Sequence, residues 1–218
     1  MRIERFAALD KLPWIEHGFY CRQPEVDVRG PKEEVMPRLW PGWNAALERQ
    51  VPDRLLYTAE QVHGNAVALV NGHPLPVDRQ VPGVDALVTR NQAAVLGIVV
   101  ADCCAVYLVD TRTRAIGLCH SGKKGTEGNI VGEALRMMAT NFGTVPEDVV
   151  AQLSPCIRQP HYEVDIATEI VAQLQAAGLP EEQVHDCGLC TASNPERYYS
   201  YRRDLGQTGR MLAVLSAG

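Results

Sequence analysis

With 218 residues, 46% of them hydrophobic and 22% charged, the chain has ordinary globular proportions, which sets aside the disordered, collagen-like and coiled-coil classes. A chain of this length buries roughly 70% of its unfolded surface, enough for one substantial core. Its 21 Lys and Arg against 26 Asp and Glu leave a net charge of −5, which argues against a nucleic-acid partner.

The N-terminal residues 1–19 contain no apolar run followed by a small-residue cleavage site, so they do not read as a secretory signal. Residues 22–55 are the least regular part, because Pro24, Gly30, Pro31, Pro37, Pro41, Gly42 and Pro52 interrupt any long element. Short helical turns are expected there at Glu33–Leu39 and Trp43–Gln50. From Leu55 the pattern changes. Ala66–Val70, Asp85–Thr89, Val95–Val100, Ala105–Asp110 and Ala115–Cys119 are short apolar runs bounded by Gly, Pro and Asp, and they read as buried strands. The longest apolar stretch, Ala93 to Ala101, has nine residues, too few to span a membrane, which takes about 20. Asn129 is the expected N-cap of a helix with Ile130, Ala134, Met137 and Met138 on one face, ended by Gly143. Val149–Leu153 reads as another strand, and Ile166–Ala177 as a helix closed by Gly178 and Pro180. A final helix is expected from about Leu205 to the end. Strands cluster in the middle and helices do not alternate strictly with them. The expected fold class is therefore α+β, a single-domain mixed β-sandwich core flanked by helices, rather than a doubly wound parallel sheet.

Three segments place a metal-capable side chain at a strand edge: Gln61-Val62-His63-Gly64, Ala101-Asp102-Cys103-Cys104 and His120-Ser121-Gly122-Lys123-Lys124-Gly125. Gly follows His closely in the first and third, so the backbone can turn and a ligand can approach. In the second, the polar pair Asp102 and Cys103 ends a strongly apolar strand, which is costly unless it faces a site. Two imidazoles and one thiolate form a three-ligand set with an open fourth position, the pattern of a catalytic zinc, and the same set suits a mononuclear copper. Gaps of 40 and 17 residues match no compact metal motif, so spacing alone leaves a second reading open. In that reading Cys103 is a small buried hydrophobe and both histidines are isolated.

The assembled motifs weigh on that choice. His17-Gly18-Phe19 with Arg22, the QVHG segment, Val84-Asp85-Ala86-Leu87-Val88-Thr89, the ADC segment, His120-Ser121-Gly122 and Ser154-Pro155-Cys156-Ile157 follow one another in order. They continue with Tyr162-Glu163-Val164, Cys190-Thr191, Tyr199-Ser200-Tyr201-Arg202-Arg203-Asp204 and Gly209-Arg210. Over nearly its whole length, 1–218, the chain resembles the laccase-domain family, also called the purine nucleoside phosphorylase or "polyphenol oxidase" family and YfiH-like. The resemblance implies one laccase-like domain with zinc bound by His63, Cys103 and His120. It also implies phosphorolysis of adenosine, inosine and methylthioadenosine, and deamination of adenosine. Deamination fits a zinc centre because the metal lowers the pKa of its water, and hydroxide then attacks C6 of adenine. Asp102 is the nearest acid to move protons, Gln61, two residues before His63, is expected to bind substrate, and Arg22, Lys123 and Lys124 are the cations nearest these motifs for phosphate. The expected partners are a small-molecule nucleoside and phosphate, with no nucleic acid and no membrane.

One departure stands out. Where the family typically has Gly-Trp-Arg-Gly, this chain has Gly122-Lys123-Lys124-Gly125, which removes an aromatic surface and replaces a planar fork by a point charge. The Gly-rich segment after the first Arg is likewise replaced by Gln23–Gly30. A multicopper oxidase needs many imidazoles, commonly as His-x-His pairs, and the chain has six His and no such pair; copper is expected at most as an in vitro occupant. Two further functional readings follow. One is a metal-independent Cys–His hydrolase or deamidase, with Cys103 as nucleophile and His120 as base, by analogy with a toxin deamidase of related fold. The other is a non-enzymatic degenerate paralogue. Seven Cys without an export signal point to reduced thiols in the cytoplasm. Cys187-Gly188-Leu189-Cys190 reads as two free thiols near a turn, His161 and His185 as surface residues, and Tyr198–Asp204 as core packing with an Arg–Asp pair.

Overall fold

The apolar runs pair into two sheets in a computed structural model that describes residues 1–71 and 80–218. The strands of its first half are β1 (Ile3–Glu4), β2 (Ile15–Tyr20), β3 (Leu55–Ala59), β4 (Val67–Leu69), β5 (Gln80–Val81) and β6 (Ala86–Thr89). Those of the second half are β7 (Ala94–Val100), β8 (Cys104–Asp110), β9 (Ile116–Ser121), β10 (Val149–Leu153), β11 (Val184–Asp186) and β12 (Met211–Ala217). The helices are α1 (Ala7–Asp10), α2 (Lys32–Gln50), α3 (Lys123–Glu127), α4 (Ile130–Phe142) and α5 (Ile166–Ala176). Among the described residues one sheet runs β1-β2-β12-β7-β3-β5 and the other β11-β10-β8-β9-β6-β4, each mixing parallel and antiparallel pairs. This is the α+β sandwich that the pattern of runs predicts.

The second sheet is a middle layer, and its sequence shows why. Along β8, Ala105, Tyr107 and Val109 join the core shared with the first sheet, while Cys104, Val106 and Leu108 join the core beneath α4 and α5. A strand buried on both faces needs a continuous apolar run, not an alternating one. The central strands predicted from such runs all form, within two residues at either end. Asn129 caps α4 as expected, its side chain accepting the Gly132 N–H, and Gly143 ends that helix in the left-handed conformation.

Two expectations fail. The turns at Glu33–Leu39 and Trp43–Gln50 are one continuous helix, α2, with Pro37 and Pro41 inside it. Each proline costs a helix interior about 3 kcal/mol. Val35, Leu39, Trp43, Ala46 and Leu47 nevertheless recur at helical spacing and are all buried, at roughly 1.5–3 kcal/mol for each large side chain. Burial of the stripe outweighs the two breaks. The predicted C-terminal helix is instead a loop through Gly209 followed by β12, seven buried residues between β2 and β7. Leu, Met and Ala favour helix in isolation, but a place in the middle of a sheet decides the conformation.

His17 belongs to this framework and not to a site. It is fully buried on β2, its Nε2 accepts the Phe6 N–H at 2.8 Å, and it stacks on the Phe6 ring. Burial, reinforced by the charge of Arg5, lowers its pKa from 6.5 to about 4. The unfolded chain therefore binds more protons than the folded one between those values, and stability falls as pH drops through that window. At about 1.4 kcal/mol per pH unit the loss amounts to about 3 kcal/mol. In urea titrations from pH 7 to 4, His17→Gln is expected to lose about 3 kcal/mol less than the parent over the same range.

Candidate metal centre

Three times the chain crosses from the first sheet to the second at the same end of the sandwich: between β3 and β4, between β5 and β6, and between β7 and β8. The first crossing carries His63, the second Asp85 and the third Cys103. His120 comes from β9, where it pairs with Ala105 and has the parity of Ile116 and Leu118, which face the first sheet. Thus His63, Cys103 and His120, far apart in sequence, meet with their ligand atoms all within 4.8 Å of one another. The two imidazole rings lie edge to face with centroids 4.8 Å apart.

Asp85 organises the group. It is fully buried at the start of β6, and its Oδ1 lies 2.8 Å from His120 Nδ1. The same carboxylate accepts the backbone N–H of His63 at 2.9 Å and of Gly64 at 2.8 Å, and its own carbonyl accepts the His120 N–H at 2.7 Å. His120 Nε2 is thereby left to face Cys103. A carboxylate behind a histidine is the usual outer partner of a metal-binding imidazole, since it sets the tautomer and raises basicity. Burial raises the pKa of Asp85, but the hydrogen bonds from His120, Gly64 and His63 outweigh it and hold the group ionised.

The donor set fits a soft or borderline metal. Burial pushes the Cys103 thiol up, but hydrogen bonds from His120 and His63 prevail and bring it down to about 6. Burial lowers His120, while Asp85 and Cys103 raise it further, to about 9. The space between the donors is kept open by Gly122, where a Cβ would stand 2.6 Å from the Cys103 sulfur. Gly125 packs against the Gly64 and His120 carbonyls, with a Cβ there only 3.1 and 3.2 Å from them. Both glycines of the Gly122–Gly125 segment are thus required by close approach.

A cleft of about 880 Å³ opens over the centre. Gln61, Asp102, Lys123 and Lys124 line it, as do the three metal-capable side chains; Arg22 does not. Arg22 lies over the Tyr199 ring and donates to the Pro195 carbonyl. The Gln61 side chain is engaged twice by the backbone of Val99, at 2.6 and 2.9 Å, which ties the His63 turn to β7. Asp102 accepts Thr191 Oγ1 and the Arg202 N–H, both at 2.7 Å, and so pins two C-terminal loops beside Cys103. Gln61, His63 and Asp102 all have positive φ, of 65°, 62° and 87°. Such backbone strain in residues other than Gly gathers at functional sites. The sequence motifs alone assigned no role in the site to Asp85, nor to the cleft-lining Lys32, Tyr162, Tyr201, Arg202 and Arg210. The available signal for Asp85 was an acid opening a wholly apolar strand. His161 is exposed and His185 half-buried, both outside the group; Cys187 and Cys190 are free, half-buried thiols. The reading of Tyr198–Asp204 as core packing around a buried Arg–Asp pair holds only for its first part: Tyr198 and Tyr199 are core residues, but Tyr201 and Arg202 are exposed, because they turn outward onto the cleft, and Arg203 pairs with Asp204 only half-buried.

The family model described as multi-copper polyphenol oxidoreductase laccase matches residues 43–169 and 159–217. A purine nucleoside phosphorylase of Deinococcus radiodurans is 35% identical over 182 residues, covering 71% of this chain and 67% of the relative. Purine nucleoside phosphorylase YlmD of Geobacillus stearothermophilus is 29% identical over 191 residues, 72% of this chain and 70% of that one. Among solved structures, the hypothetical protein YfiH of Bacillus licheniformis superposes with a TM-score of 0.80 at 20% identity, covering 96% of this chain and 95% of the other. YlmD of Geobacillus stearothermophilus superposes with a TM-score of 0.78 at 24% identity, over 94% and 92%. These two likenesses establish the fold.

Asp85→Asn is expected to weaken metal binding about 10- to 100-fold in competition with a chromophoric chelator, because an amide cannot accept all three hydrogen bonds. In chelator-treated protein, Cys103 is expected to react with iodoacetamide with a midpoint near pH 6, the thiolate being present above it. The fully buried Cys104 and Cys119, whose thiols burial pushes up, stay unreactive through neutral pH.

Proposed function

The chain belongs to the multi-copper polyphenol oxidoreductase laccase family, and from that premise we propose that residues 1–218 form one domain in which His63, Cys103 and His120 hold zinc for the phosphorolysis of purine nucleosides. The observation that carries this reading is the meeting of a His₂Cys group with a cleft lined by Lys32, Lys123, Lys124, Arg202 and Arg210 against Asp102. Such a cleft suits a phosphate nucleophile better than an aromatic phenol. The names of the Deinococcus and Geobacillus relatives support the same reaction class. Imidazole and thiolate donors favour zinc in a reducing cytoplasm, with copper as a competitor in vitro.

In this reaction a phosphate oxygen bonds to ribose C1′ as the C1′–N9 bond breaks, giving ribose 1-phosphate and the free purine. Lys123 and Lys124, exposed at the start of α3 beside Gly122, hold the phosphate by charge. Tyr162 and Tyr201 offer apolar faces to the purine in place of the aromatic missing from the Gly122–Gly125 segment. Asp102 is a positioning residue, since each of its oxygens already accepts a hydrogen bond that fixes the Cys103 corner. Arg22 supports the Tyr199 wall. Zinc held by His63, Cys103 and His120 would supply Lewis acidity. With water as nucleophile the same centre suits deamination of adenosine to inosine, with release of ammonia.

A second reading draws on one observation. The Cys103 sulfur lies within 4.8 Å of the His120 ring, and the His120 Nδ1 meets Asp85 at 2.8 Å, the order of nucleophile, base and orienting carboxylate in a cysteine hydrolase. Inactivation by thiol alkylation together with full activity after metal removal would select it.

The deciding experiment is product chromatography after incubating zinc-loaded protein with adenosine. Adenine formed only in the presence of phosphate is the expected result, and inosine reports the deaminase reaction. Cys103→Ser is expected to lose the metal and at least 100-fold in rate, roughly the contribution of one essential active-site group. A variant as active as the parent would overturn the metal reading.

A further inference from the structure

The cleft carries more positive charge than one phosphate ion requires; Arg202 is paired with Glu163, and the remaining charge lies in two places. Lys123 and Lys124 stand on the α3 side next to Gly122. Lys32, the first residue of α2, and Arg210, immediately before β12, stand on other elements of the same cleft. Arg210 is half-buried, and its Nη1 donates to the Thr208 and Gly209 carbonyls at 3.2 and 3.0 Å. Among the described residues it forms no ion pair, and the Lys32 side chain forms neither an ion pair nor a hydrogen bond.

The two cations act on each other. Burial lowers the pKa of Lys32, and the charge of Arg210 lowers it further. Burial likewise lowers Arg210, against the pull of Cys103, Tyr201 and Asp102. The acids within electrostatic reach are committed elsewhere or merely nearby. Asp102 serves Thr191 and Arg202, Glu60 accepts the Gly83 N–H, and Glu33 is the neighbour of Lys32 along α2. Two like charges held close together in one cleft repel each other unless an anion joins them. A guanidinium with unused donors is the side chain best suited to take a phosphate monoester. The volume of about 880 Å³ leaves room for such a group beside a nucleoside and a phosphate ion.

Building on the phosphorolysis reading, we infer that Lys32 and Arg210 form a second anion subsite that receives the 5′-phosphate of a purine nucleoside monophosphate, while Lys123 and Lys124 serve inorganic phosphate. The reaction at C1′ leaves the 5′-phosphate intact. AMP and hydrogen phosphate would give adenine and ribose 1,5-bisphosphate, with the C1′–N9 bond broken, a C1′–O bond made and the proton of the hydrogen phosphate passing to the purine. Tyr201, whose ring centroid lies 5.8 Å from the Arg210 guanidinium, adjoins this subsite.

The test compares AMP with adenosine on the zinc-loaded full chain, by calorimetric binding and by product chromatography. AMP is expected to bind about tenfold or more tightly than adenosine, the effect of one charge-assisted contact or better. That ratio is expected to fall towards one in Lys32→Gln and in Arg210→Gln. Lys32 is exposed, so its variant tests the subsite even if Arg210→Gln fails to fold. Saturating inorganic phosphate is expected not to displace AMP. Equal binding of AMP and adenosine would overturn the inference, and so would mutual exclusion of AMP and phosphate, which would assign the Lys32–Arg210 pair to the nucleophile. AMP held in a Lys32-dependent way with no cleavage of either compound would sustain the subsite and sink phosphorolysis. Adenosine cleaved while AMP binds no better would sink the subsite alone.

Discussion

The carboxylate of Asp85 is the constraint on which the centre depends. It is fully buried, and burying a charge costs several kcal/mol unless it is paired and hydrogen-bonded. Here the compensation comes from the site itself. Two successive N–H groups of the His63 turn and the Nδ1 of His120 converge on its two oxygens. One buried acid therefore fixes the backbone of one metal-capable residue and the ring of another. It does so from the crossing between β5 and β6, adjacent to the crossings that carry His63 and Cys103.

The rest of the site is held by bonds that oppose local backbone preference. Gln61, His63 and Asp102 sit in the left-handed region at a cost of about 1 kcal/mol or more each. The Gln61 amide clasps Val99, and the Asp102 carboxylate clasps Thr191 and the Arg202 backbone. These bonds offset the strain and brace the Cys103 corner from β7 and from two C-terminal loops. The cleft wall is then completed by segments from the far end of the sequence, which bring Tyr201, Arg202 and Arg210 beside residues of the first half.

Where composition and periodicity carried the fold, they did so because both faces of the middle sheet are buried. The runs at β6, β8, β9 and β10 are largely apolar for that reason, and they are legible without any knowledge of partners. The two failures have a common origin. The prolines of α2 and the Leu, Ala and Met of β12 state a local preference correctly, and in both cases burial against distant strands overrides it. At the site, the His and Cys motifs were visible as polar residues at strand edges. Asp85 was quoted within a motif but had no visible partner, because its partners lie 21 to 35 positions away.

The amino-acid sequence by itself determined the α+β class, the central strands, the helix opened by Asn129 and the identities of His63, Cys103 and His120 as metal-capable residues. Those properties depend on side-chain chemistry and on periodicities of a few residues. Tertiary structure alone decided that the three side chains meet, that Asp85 stands behind them and that Arg22 lies outside the cleft while Lys32 and Arg210 line it. Which residues share a cavity depends on where two sheets exchange chain, and that is fixed by strand pairing across the whole molecule rather than by any local run.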